Sequence, residues 1–489
     1  MTPGARLDLG VIDPGARIAL EALAALLGPD RPAFLVGGAL RDLLEGGAAA
    51  DLDVVVPSGA VATARAMADR LGAALVVLDE ARGAARLASG PGRRWRGPQI
   101  DVADYRAKDL EGDLRRRDFT VNAIAVGVHG LIASGEAAVE DPTGGVQDLS
   151  ARTVRLCAPG SLEEDPVRVL RAARLAARPG WRLDPSLGAA ARRAAGSLGA
   201  VSAERIRDEL IAILTEHAAG VGLRLLDGWD VLERLLPERA AMQATAQPVP
   251  HRFDVWEHSL RAVEAADALG ARPGDLGDWG SALRDHLAES LGDGLTRREA
   301  IKLAALLHDV AKPETRTVDS GRIRFFGHDV IGAGRVEAIA ARWRLSGRAR
   351  ALLERLVRHH LRPMHLAQTG GVTRRARYRF FRDLGQDAPD LLLLALADAA
   401  AVRGESPWAV WRGAGGAILR ELLAGHAEES AAAAAPPLLS GDDVMAALGL
   451  RPGPEVGRLL ALVREAQDLG AVVDREQALD LLRREAGRS

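Results

Sequence analysis

The chain has a single cysteine, almost no net charge and no long apolar run. Cys157 is the only cysteine among 489 residues, which excludes an internal disulfide and leads us to expect a reducing compartment, the cytoplasm. The best apolar candidate, LLLLALADAAAV from Leu391, is interrupted by Asp398 and is shorter than the roughly 18 residues of a membrane-spanning helix. The first residues, MTPGARLDLG, lack the basic and then apolar layout of a secretory signal, so we expect no membrane partner.

An excess of positive charge is also lacking, which matters for any interaction with nucleic acid. The formal net charge is −2, so the chain as a whole does not attract a polyanion and any basic surface must be local. Hydrophobic residues make up 48% and charged residues 27%, which is ordinary for a globular protein. The length allows two to four domains with sizeable cores.

Strand-like runs are confined to the first third of the chain. They are AFLVGG (33–38), DLDVVV (51–56), AALVVL (73–78), QIDVADY (99–105), NAIAVGV (122–128) and TVRL (153–156), with helical patterns between them. From about Asp165 onward the periodicity is helical almost throughout, and SAAAAAPPLL (430–439) is a low-complexity joint. We therefore predict an α/β head with a mixed sheet, followed by an all-helical remainder.

Two aspartates in the second of these strands form a candidate metal site. Side chains alternate across a strand, so Asp51 and Asp53 point to the same face. Magnesium is usually held by one or two carboxylates together with the phosphates of a substrate, which suits this pair to a nucleoside triphosphate. The alternative is a solvent-facing pair at the end of an ordinary strand.

Glycines precede the pair by a short helix. Gly37 and Gly38 follow a buried strand, and a turn without side chains lets backbone N–H groups approach phosphate oxygens. Arg41, one turn later and beside Asp42, adds further donors for phosphate.

Taken together, GGxxRD followed by DxD resembles the signature of the nucleotidyltransferase superfamily that includes DNA polymerase beta. The form of the motif is similar to that of the branch containing tRNA nucleotidyltransferases and bacterial poly(A) polymerases. The resemblance implies a polymerase-beta-like palm as the head and an all-α neck, HD domain and tail behind it. It also implies Mg²⁺ held by Asp51 and Asp53, and nucleotide contacts from Gly37, Gly38, Arg41 and Asp42.

A second motif, RRRDFTVNAIAV (115–126), resembles the RRDFTxNA motif of this family. The resemblance implies that Arg117, Asp118 and Asn122 contact the sugar and triphosphate of the incoming nucleotide. Asp101, on a predicted strand, is either a third carboxylate near the site or a charged residue at a sheet edge.

The stretch EEDPVRVLRAARLAARPGW (163–181) carries the residue types needed to read a base. Cytosine and adenine present an amine beside an unprotonated ring nitrogen, whereas uracil and guanine present a carbonyl beside an N–H. Asp165 accepting from the amine and Arg168 donating to the ring nitrogen would therefore select C and A. In the family this EDxxR motif replaces a nucleic-acid template, and Arg171 and Arg174 match further nucleotide contacts.

One departure from the family concerns the connection before RRDFT. Only eight residues, AKDLEGDL (107–114), stand where enzymes that add C, C and A have a longer flexible loop. That loop helps the family switch from CTP to ATP, so its absence resembles the CC-adding subgroup. We predict two added C residues and then a stop, unless the Gly-rich segment 82–97 substitutes for the loop.

The second half contains histidines and aspartates in the order typical of HD-domain metal phosphohydrolases. His258, His308, Asp309 and Asp398 are the candidate ligands of a divalent transition metal, because imidazoles favour such ions over magnesium. A buried, unpaired Asp398 would be costly, so packing does not explain it. A second ion is expected at His328 with His359, or with the adjacent His360.

Arginine is concentrated further along. Between Arg342 and Arg382 there are twelve arginines and one acid, Glu354, with interleaved aromatic residues. This composition indicates either a phosphate-contacting surface or a pair of solvated helices.

We expect an N-terminal extension (1–31), a nucleotidyltransferase head (32–157), a helical neck that binds RNA (158–245), an HD domain (250–410) and a tRNA-binding tail (411–489). The expected function is template-independent addition of CMP, as CC or CCA, to the 3′ end of tRNA from CTP and ATP. The alternatives are a poly(A) polymerase or A-adding enzyme, and an HD phosphohydrolase with a nucleotide-binding head.

Overall fold

The computed structural model describes residues 5–49, 51–368, 372–433 and 436–486. The chain divides into two compact units, the first comprising Met1–Ser202 with Leu225–Arg234 and the second comprising Ala203–Arg224 with Leu235–Ser489. Within the described ranges, no helix is both long enough and apolar enough to cross a membrane.

An eight-stranded mixed sheet forms the centre of the first unit. Its spatial order is β1-β8-β7-β2-β3-β6-β5-β4, and β3 with β6 is its parallel pair. The strands are β1 (Arg6–Asp8), β2 (Phe34–Val36), β3 (Asp51–Val56), β4 (Ala74–Asp79), β5 (Ala84–Ala88), β6 (Gln99–Asp104), β7 (Ala125–Gly127) and β8 (Glu136–Glu140). The predicted mixed sheet with flanking helices is confirmed.

Helices follow or separate these strands. They are α1 (Pro14–Leu27), α2 (Gly37–Leu44), α3 (Ala60–Leu71), α4 (Leu110–Arg115), α5 (Val128–Ser134) and α6 (Gly145–Ser150). Behind them the first unit continues with a short parallel pair and three helices, β9 (Thr153–Val154), β10 (Arg182–Leu183), α7 (Ser161–Glu164), α8 (Arg168–Ala176) and α9 (Leu187–Ala195).

The two faces of the sheet are covered unequally, because alternate residues of β3 join different apolar clusters. Leu52, Val54 and Val56 belong to the large core, together with residues of α1 and α3. Val55 belongs to a small cluster on the other face. Asp51 and Asp53 share the face of Val55, so the thinly covered face carries the candidate site.

Residues expected to be an N-terminal extension are part of the head. β1 pairs antiparallel with β8, with Leu7 opposite Ala137, and Leu20 and Leu23 of α1 lie in the large core. The apolar face of α1 is the physical reason, since it must be buried against another element.

The second unit is mainly helical. Two helices, α11 (Ala219–Gly228) and α12 (Val231–Leu235), cross the boundary between the units. The others are α10 (Ala203–Thr215), α13 (Glu238–Gln243), α14 (Val255–Ala271), α15 (Gly280–Leu287), α16 (Arg297–Leu307), α17 (Lys312–Thr315), α18 (His328–Arg342), α19 (Gly347–His359), α20 (Arg362–Gln368), α21 (Arg374–Leu384), α22 (Ala388–Arg403), α23 (Pro407–Arg412), α24 (Ala417–Ala433), α25 (Gly441–Leu448), α26 (Pro454–Asp468) and α27 (Arg475–Ala486). Two small hairpins, β11 (Ser290–Gly292) with β12 (Leu295–Thr296) and β13 (Arg316–Asp319) with β14 (Arg322–Phe325), were not predicted. The last three helices bury their own apolar cluster, which includes Val444, Leu459 and Leu482.

The arginine-rich segment is largely neutralised by acids, most of which lie outside it. Its ion-paired arginines are Arg342, Arg344, Arg348, Arg350, Arg355, Arg358, Arg362, Arg375, Arg379 and Arg382. The aromatic residues between them, Trp343, Tyr378, Phe380 and Phe381, are buried. The segment therefore resembles packed helices more than an open phosphate-binding surface.

Candidate active site and metal centre

The aspartates of β3 lie beside a third carboxylate on the neighbouring strand. Asp53 is directly opposite Val36 of β2 on one side and Asp101 of β6 on the other. Asp51 is exposed and Asp53 is half-buried. Because β6 has strands on both sides, Asp101 lies inside the sheet and not at its edge.

Mutual repulsion and burial act on these carboxylates. Burial raises the pKa of Asp51, and Asp101 adds to the rise. Burial is also the largest cause that raises the pKa of Asp53; the charges of Asp101 and Asp51 add to the rise, and Arg117 and Arg171 oppose it. A divalent cation bound here would relieve this repulsion.

Asp101 already has a cationic partner. Arg86 of β5 donates from Nε to one carboxylate oxygen and from Nη2 to the other, each at 2.8 Å. Asp51 and Asp53 make no such two-point contact with an arginine. Two carboxylates are the number that usually binds a magnesium ion when substrate phosphates supply further ligands.

Gly37 lies against the carboxylate of Asp53. Its φ is +75°, and a Cβ at this position would lie 2.7 Å from Asp53 Oδ2. A side chain is excluded for both reasons, so the first residue of α2 leaves its backbone open beside the carboxylate. The approach of the backbone N–H groups of Gly37 and Gly38 to phosphate oxygens stays a prediction.

Arg41 and the residues of the RRDFT motif form one hydrogen-bonded network. Arg41 is buried and donates to both oxygens of Asp42, at 3.0 and 3.1 Å, and to Asn122 Oδ1 at 2.8 Å. Asn122 donates in turn to Asp118 Oδ1 at 3.1 Å, and Arg171 Nη1 lies 3.5 Å from Asp118 Oδ2. In the structure Arg41 thus contacts Asp42 and Asn122, and its contact with phosphate stays a prediction.

This network keeps Asp118 ionised. Burial alone would raise the pKa of Asp118, but Arg171 and the hydrogen bonds from Asn122 and Phe119 together lower it. Asp118 is thus an acceptor that holds Asn122 and Arg171 in place.

Arg168 is buried, whereas a side chain that reads a base was expected to lie on an exposed face of its helix. Its Nη1 donates to Ser161 Oγ at 2.6 Å and to the Ser161 carbonyl at 3.1 Å, and its Nη2 donates to the Arg116 carbonyl at 3.3 Å. Asp165 is half-buried and has extended backbone geometry just before α8. The predicted Asp–Arg pair thus lies where α7, α8 and the end of α4 meet.

Hydrogen bonds link both ends of the short connection 107–114, which precedes the RRDFT motif. Asp113, in α4, is 1% exposed and accepts from the Arg106 backbone N–H at 2.9 Å and from Arg117 Nη2 at 3.0 Å. Arg116 Nη1 donates to the Arg106 carbonyl at 2.7 Å. Sequence reasoning had missed Asp113, because Asp109 and Glu111 also precede the three arginines and the sequence does not single it out.

The second unit contains the groups of side chains best arranged to hold metal ions. One group is His258 of α14, His308 directly after α16, and Asp398 of α22. His258 Nε2 lies 3.2 Å from His308 Nε2 and 3.0 Å from Asp398 Oδ1. These are predicted ligands, brought together from three helices.

The other group is Asp309, His328 and His360. His328 Nε2 lies 3.2 Å from His360 Nε2 and 3.3 Å from Asp309 Oδ1, while the other oxygen of Asp309 is 3.2 Å from His308. Asp309 therefore stands between the two groups. His359, the last residue of α19, is in neither group, so His360 is the histidine that the helix directs to the cluster.

The hydrogen bonds of the imidazoles test whether a metal fits. Nδ1 of His308, His328 and His360 contacts the carbonyl three residues earlier, at 2.9, 2.7 and 2.7 Å. A carbonyl only accepts, so in each neutral ring the proton is on Nδ1 and the lone pair is on Nε2. Two nitrogens bound to one tetrahedral ion lie about 3.4 Å apart, close to the spacing between the facing Nε2 atoms. The donor set therefore fits divalent transition-metal ions.

Burial and neighbouring charges shift the pKa values of the residues in this cluster. Burial opposes ionisation of Asp309, but His308 and Lys312 lower its pKa well below the ordinary value. Burial lowers the pKa of His360 to about 4, which keeps this ring neutral and able to bind a metal. Lys312 Nζ is 2.6 Å from Asp309 Oδ2; sequence reasoning had missed it, although its place three residues after Asp309 was a signal.

A cavity of about 760 Å³ opens onto this cluster. Asp309, His328, His360 and Asp398 line one side of the cavity, together with Lys312. The cluster is therefore reachable by a small molecule and is not merely a buried structural site.

Comparison with protein families divides the chain in the same order as the sequence. A model described as the poly A polymerase head domain matches residues 33–155. A model described as the probable RNA and SrmB-binding site of polymerase A matches residues 180–242, and a model of the HD domain matches residues 255–402.

Relatives and solved structures extend over nearly the whole chain. An A-adding tRNA nucleotidyltransferase of Deinococcus radiodurans is 39% identical over 464 residues, covering 92% of this chain and 95% of the relative. A CC-adding tRNA nucleotidyltransferase of Thermus thermophilus is 35% identical over 459 residues, covering 92% of each. The structure of a Thermotoga maritima CCA-adding enzyme complexed with tRNA superposes with a TM-score of 0.60 at 19% identity, covering 98% of this chain and 99% of that one, which establishes a shared fold.

Proposed function

Because the chain belongs to the tRNA nucleotidyltransferase family, with a poly(A) polymerase-type head and an HD domain, we propose that it adds nucleotides to the 3′ end of tRNA. The observation that carries the proposal is the carboxylate pair of β3 beside the open backbone of Gly37. The tRNA 3′-oxygen bonds to the α-phosphorus of CTP or ATP as the bond to pyrophosphate breaks.

Different residues of the head would bind the metal, the phosphates and the base. Asp51 and Asp53 would hold Mg²⁺, which supplies charge stabilisation for the attacking and leaving oxygens. The backbone of Gly37 and Gly38 would approach the phosphates, and Arg117, Arg171 and Arg174 would contact the nucleotide. Asp165 and Arg168 would read the base edge, while Arg41 and Asp118 hold Asn122 in position.

Incorporation of labelled CMP into a tRNA lacking CCA tests this proposal. Asp53→Asn is expected to lower turnover at least about 100-fold, because it removes a metal ligand from a site that has few. Its thermal stability should not fall, since one of three repelling charges is removed. Asp69→Asn, an exposed change on α3, is the matched control; normal turnover in the Asp53 variant would rule out the assigned site.

Addition of CC is the first candidate specificity. Its support is the connection 107–114, which is short and anchored through Asp113, and therefore unsuited to switching the pocket between bases. Addition of the final A is the second candidate, favoured by the 39% identity to an A-adding relative. A tRNA ending at the discriminator base and one ending in CC distinguish the two.

A poly(A) polymerase is less well supported, because the relatives that span the chain are named for tRNA end addition. Long A tails on an unrelated RNA would favour it.

We also propose that the HD domain hydrolyses a phosphate ester. In this step a water oxygen bonds to phosphorus as the ester oxygen leaves with a proton. The support is the pair of ligand groups that share Asp309, at which transition-metal ions would stabilise the charge on the phosphate oxygens.

Adjacent histidines provide a matched test of this second activity. His360→Asn should lower both the metal content per chain and phosphate release, because His360 lies within the cluster. His359→Asn, next to it but outside the cluster, should change neither. Equal metal content in both variants would contradict the assignment.

A further inference from the structure

Most of the residues that line the cavity at the HD cluster are apolar, and the charged residues besides the cluster and Lys312 are Arg324, Arg403 and Glu405. Its volume is about 760 Å³, within the range of sites that enclose small molecules. The wall away from the cluster includes Phe326, Met364, Val402, Ile418 and Leu419. A phosphate group bound at the cluster would therefore project the remainder of its molecule into a hydrocarbon lining.

Apart from the imidazoles of His251, His328 and His360, uncharged hydrogen-bonding side chains are missing from the described lining of this cavity. In the described part of the chain, no residue lining the cavity carries a hydroxyl, an amide or an indole N–H. The charged groups of the outer wall have other contacts: Arg324 lies over the ring of Phe326, 5.5 Å from its centroid, and Arg403 is 3.8 Å from Glu405.

This lining is poorly suited to a nucleoside or a nucleic-acid strand. Ribose hydroxyls and base edges lose their hydrogen bonds to water on entry and need side-chain partners in return. A strand also needs a continuous cationic track for its phosphates. An alkyl or aryl group needs neither and gains from leaving water.

We propose that this cavity binds a phosphate ester whose organic group is an alkyl or aryl body. The cluster and Lys312 take the phosphate, and the apolar wall takes the body. The inference rests on the proposed hydrolytic function of the same site and names its substrate class.

Binding of phosphonates, which are not hydrolysed, to the full-length protein tests the inference by calorimetry. The probes are methylphosphonate, butylphosphonate, hexylphosphonate and adenosine monophosphate, with the metal content of the protein measured in parallel. Affinity should rise about threefold to fourfold with each buried methylene. Hexylphosphonate should bind more tightly than adenosine monophosphate.

Variants of the wall supply the control. Met364→Asp and Ile418→Asp should weaken binding of hexylphosphonate and leave methylphosphonate nearly unchanged. Met364 is 49% exposed and Val330 of α18 is 53% exposed, so both tolerate a charge, and Val330 lies outside the cavity lining. Val330→Asp should therefore leave the dependence on chain length intact.

Affinity that does not depend on chain length would overturn the inference. Binding of adenosine monophosphate or of a 3′-phosphorylated RNA oligomer that is tighter than that of hexylphosphonate and is lost in His360→Asn, and so takes place at the cluster and not at the head, would also overturn it. Two further results separate it from the proposed functions. If hexylphosphonate binds as expected but hexyl phosphate is not hydrolysed, the hydrolytic function fails and the ligand class stands. Incorporation of CMP into tRNA on the same preparation reports on the head alone.

Discussion

At the scale of single residues, the position most constrained by its surroundings is Gly37. Gly37→Ala places a methyl group against Asp53 and also destabilises the fold, because alanine is strained at a positive φ. Gly46 has a φ of +80° but nothing within 4 Å of an added Cβ, so Gly46→Ala isolates the backbone cost. We expect both variants to lose some stability, and only Gly37→Ala to lose most of its CMP incorporation. Equal turnover in the two would show that the approach to Asp53 is unimportant.

Arg168 allows a second test at this scale. Arg168→Lys keeps the charge but loses the planar fork that contacts Ser161 and the Arg116 carbonyl. We expect the preference for CTP over UTP to fall about 10-fold or more, the usual effect of one lost base-reading pair. Arg193→Lys on α9, an exposed arginine, is the control. Unchanged selectivity in the Arg168 variant would mean that the base is read elsewhere.

The sequence alone predicted which residue types form the candidate sites and in which order they occur. It did not predict which side chains contact one another. The sequence predicted that Asp51 and Asp53 share one face of β3, because the alternation of side chains between the two faces of a strand depends on the strand alone. The choice between His359 and His360 depends on where α19 ends against its neighbours. In the same way, the acids that neutralise the arginines between 342 and 382 lie mostly on other elements, which no local window reveals.

At the scale of elements, strands with long apolar runs were predicted, and head strands with little β-branched content were missed. β8 reads EAAVE and β5 reads AARLA, so neither has the alternation or the β-branched content of a typical strand. Pairing with neighbouring strands, which is a tertiary effect, decides their structure.

Arg297 joins several elements of the second unit and gives a prediction at this scale. It is 2% exposed and is paired with Glu289 at 2.6 Å and with Asp387 and Asp390 at 2.8 Å. Arg297→Met removes the buried cation that Asp387 and Asp390 share, while Arg355 remains beside Asp387 and His286 beside Asp390. We therefore expect a loss of about 3 kcal/mol in the free energy of unfolding, the lower end of the range for a broken buried pair. Arg350→Met, which breaks an exposed pair with Glu337, should cost about 1 kcal/mol or less. Thermal midpoints measured at one pH compare the two, and equal midpoints would contradict the role given to Arg297.

At the scale of the whole molecule, the chain carries two candidate sets of metal-binding residues on different architectures. In the head the candidate ligands are a carboxylate pair on a sheet, suited to Mg²⁺ with a triphosphate, and in the HD cluster they include imidazoles, which suit transition metals. Each proposed activity is therefore expected to survive loss of the other metal site.

The central claim is that this chain extends the 3′ end of tRNA at Asp51 and Asp53. The most direct test is to incubate the purified protein with a tRNA that ends at the discriminator base, supply all four nucleoside triphosphates with Mg²⁺, and sequence the 3′ ends. The account predicts added nucleotides in the wild-type product, two C residues if the CC specificity holds, and none with Asp53→Asn. A wild-type product without any added nucleotide, on this tRNA and on one ending in CC, would contradict the account.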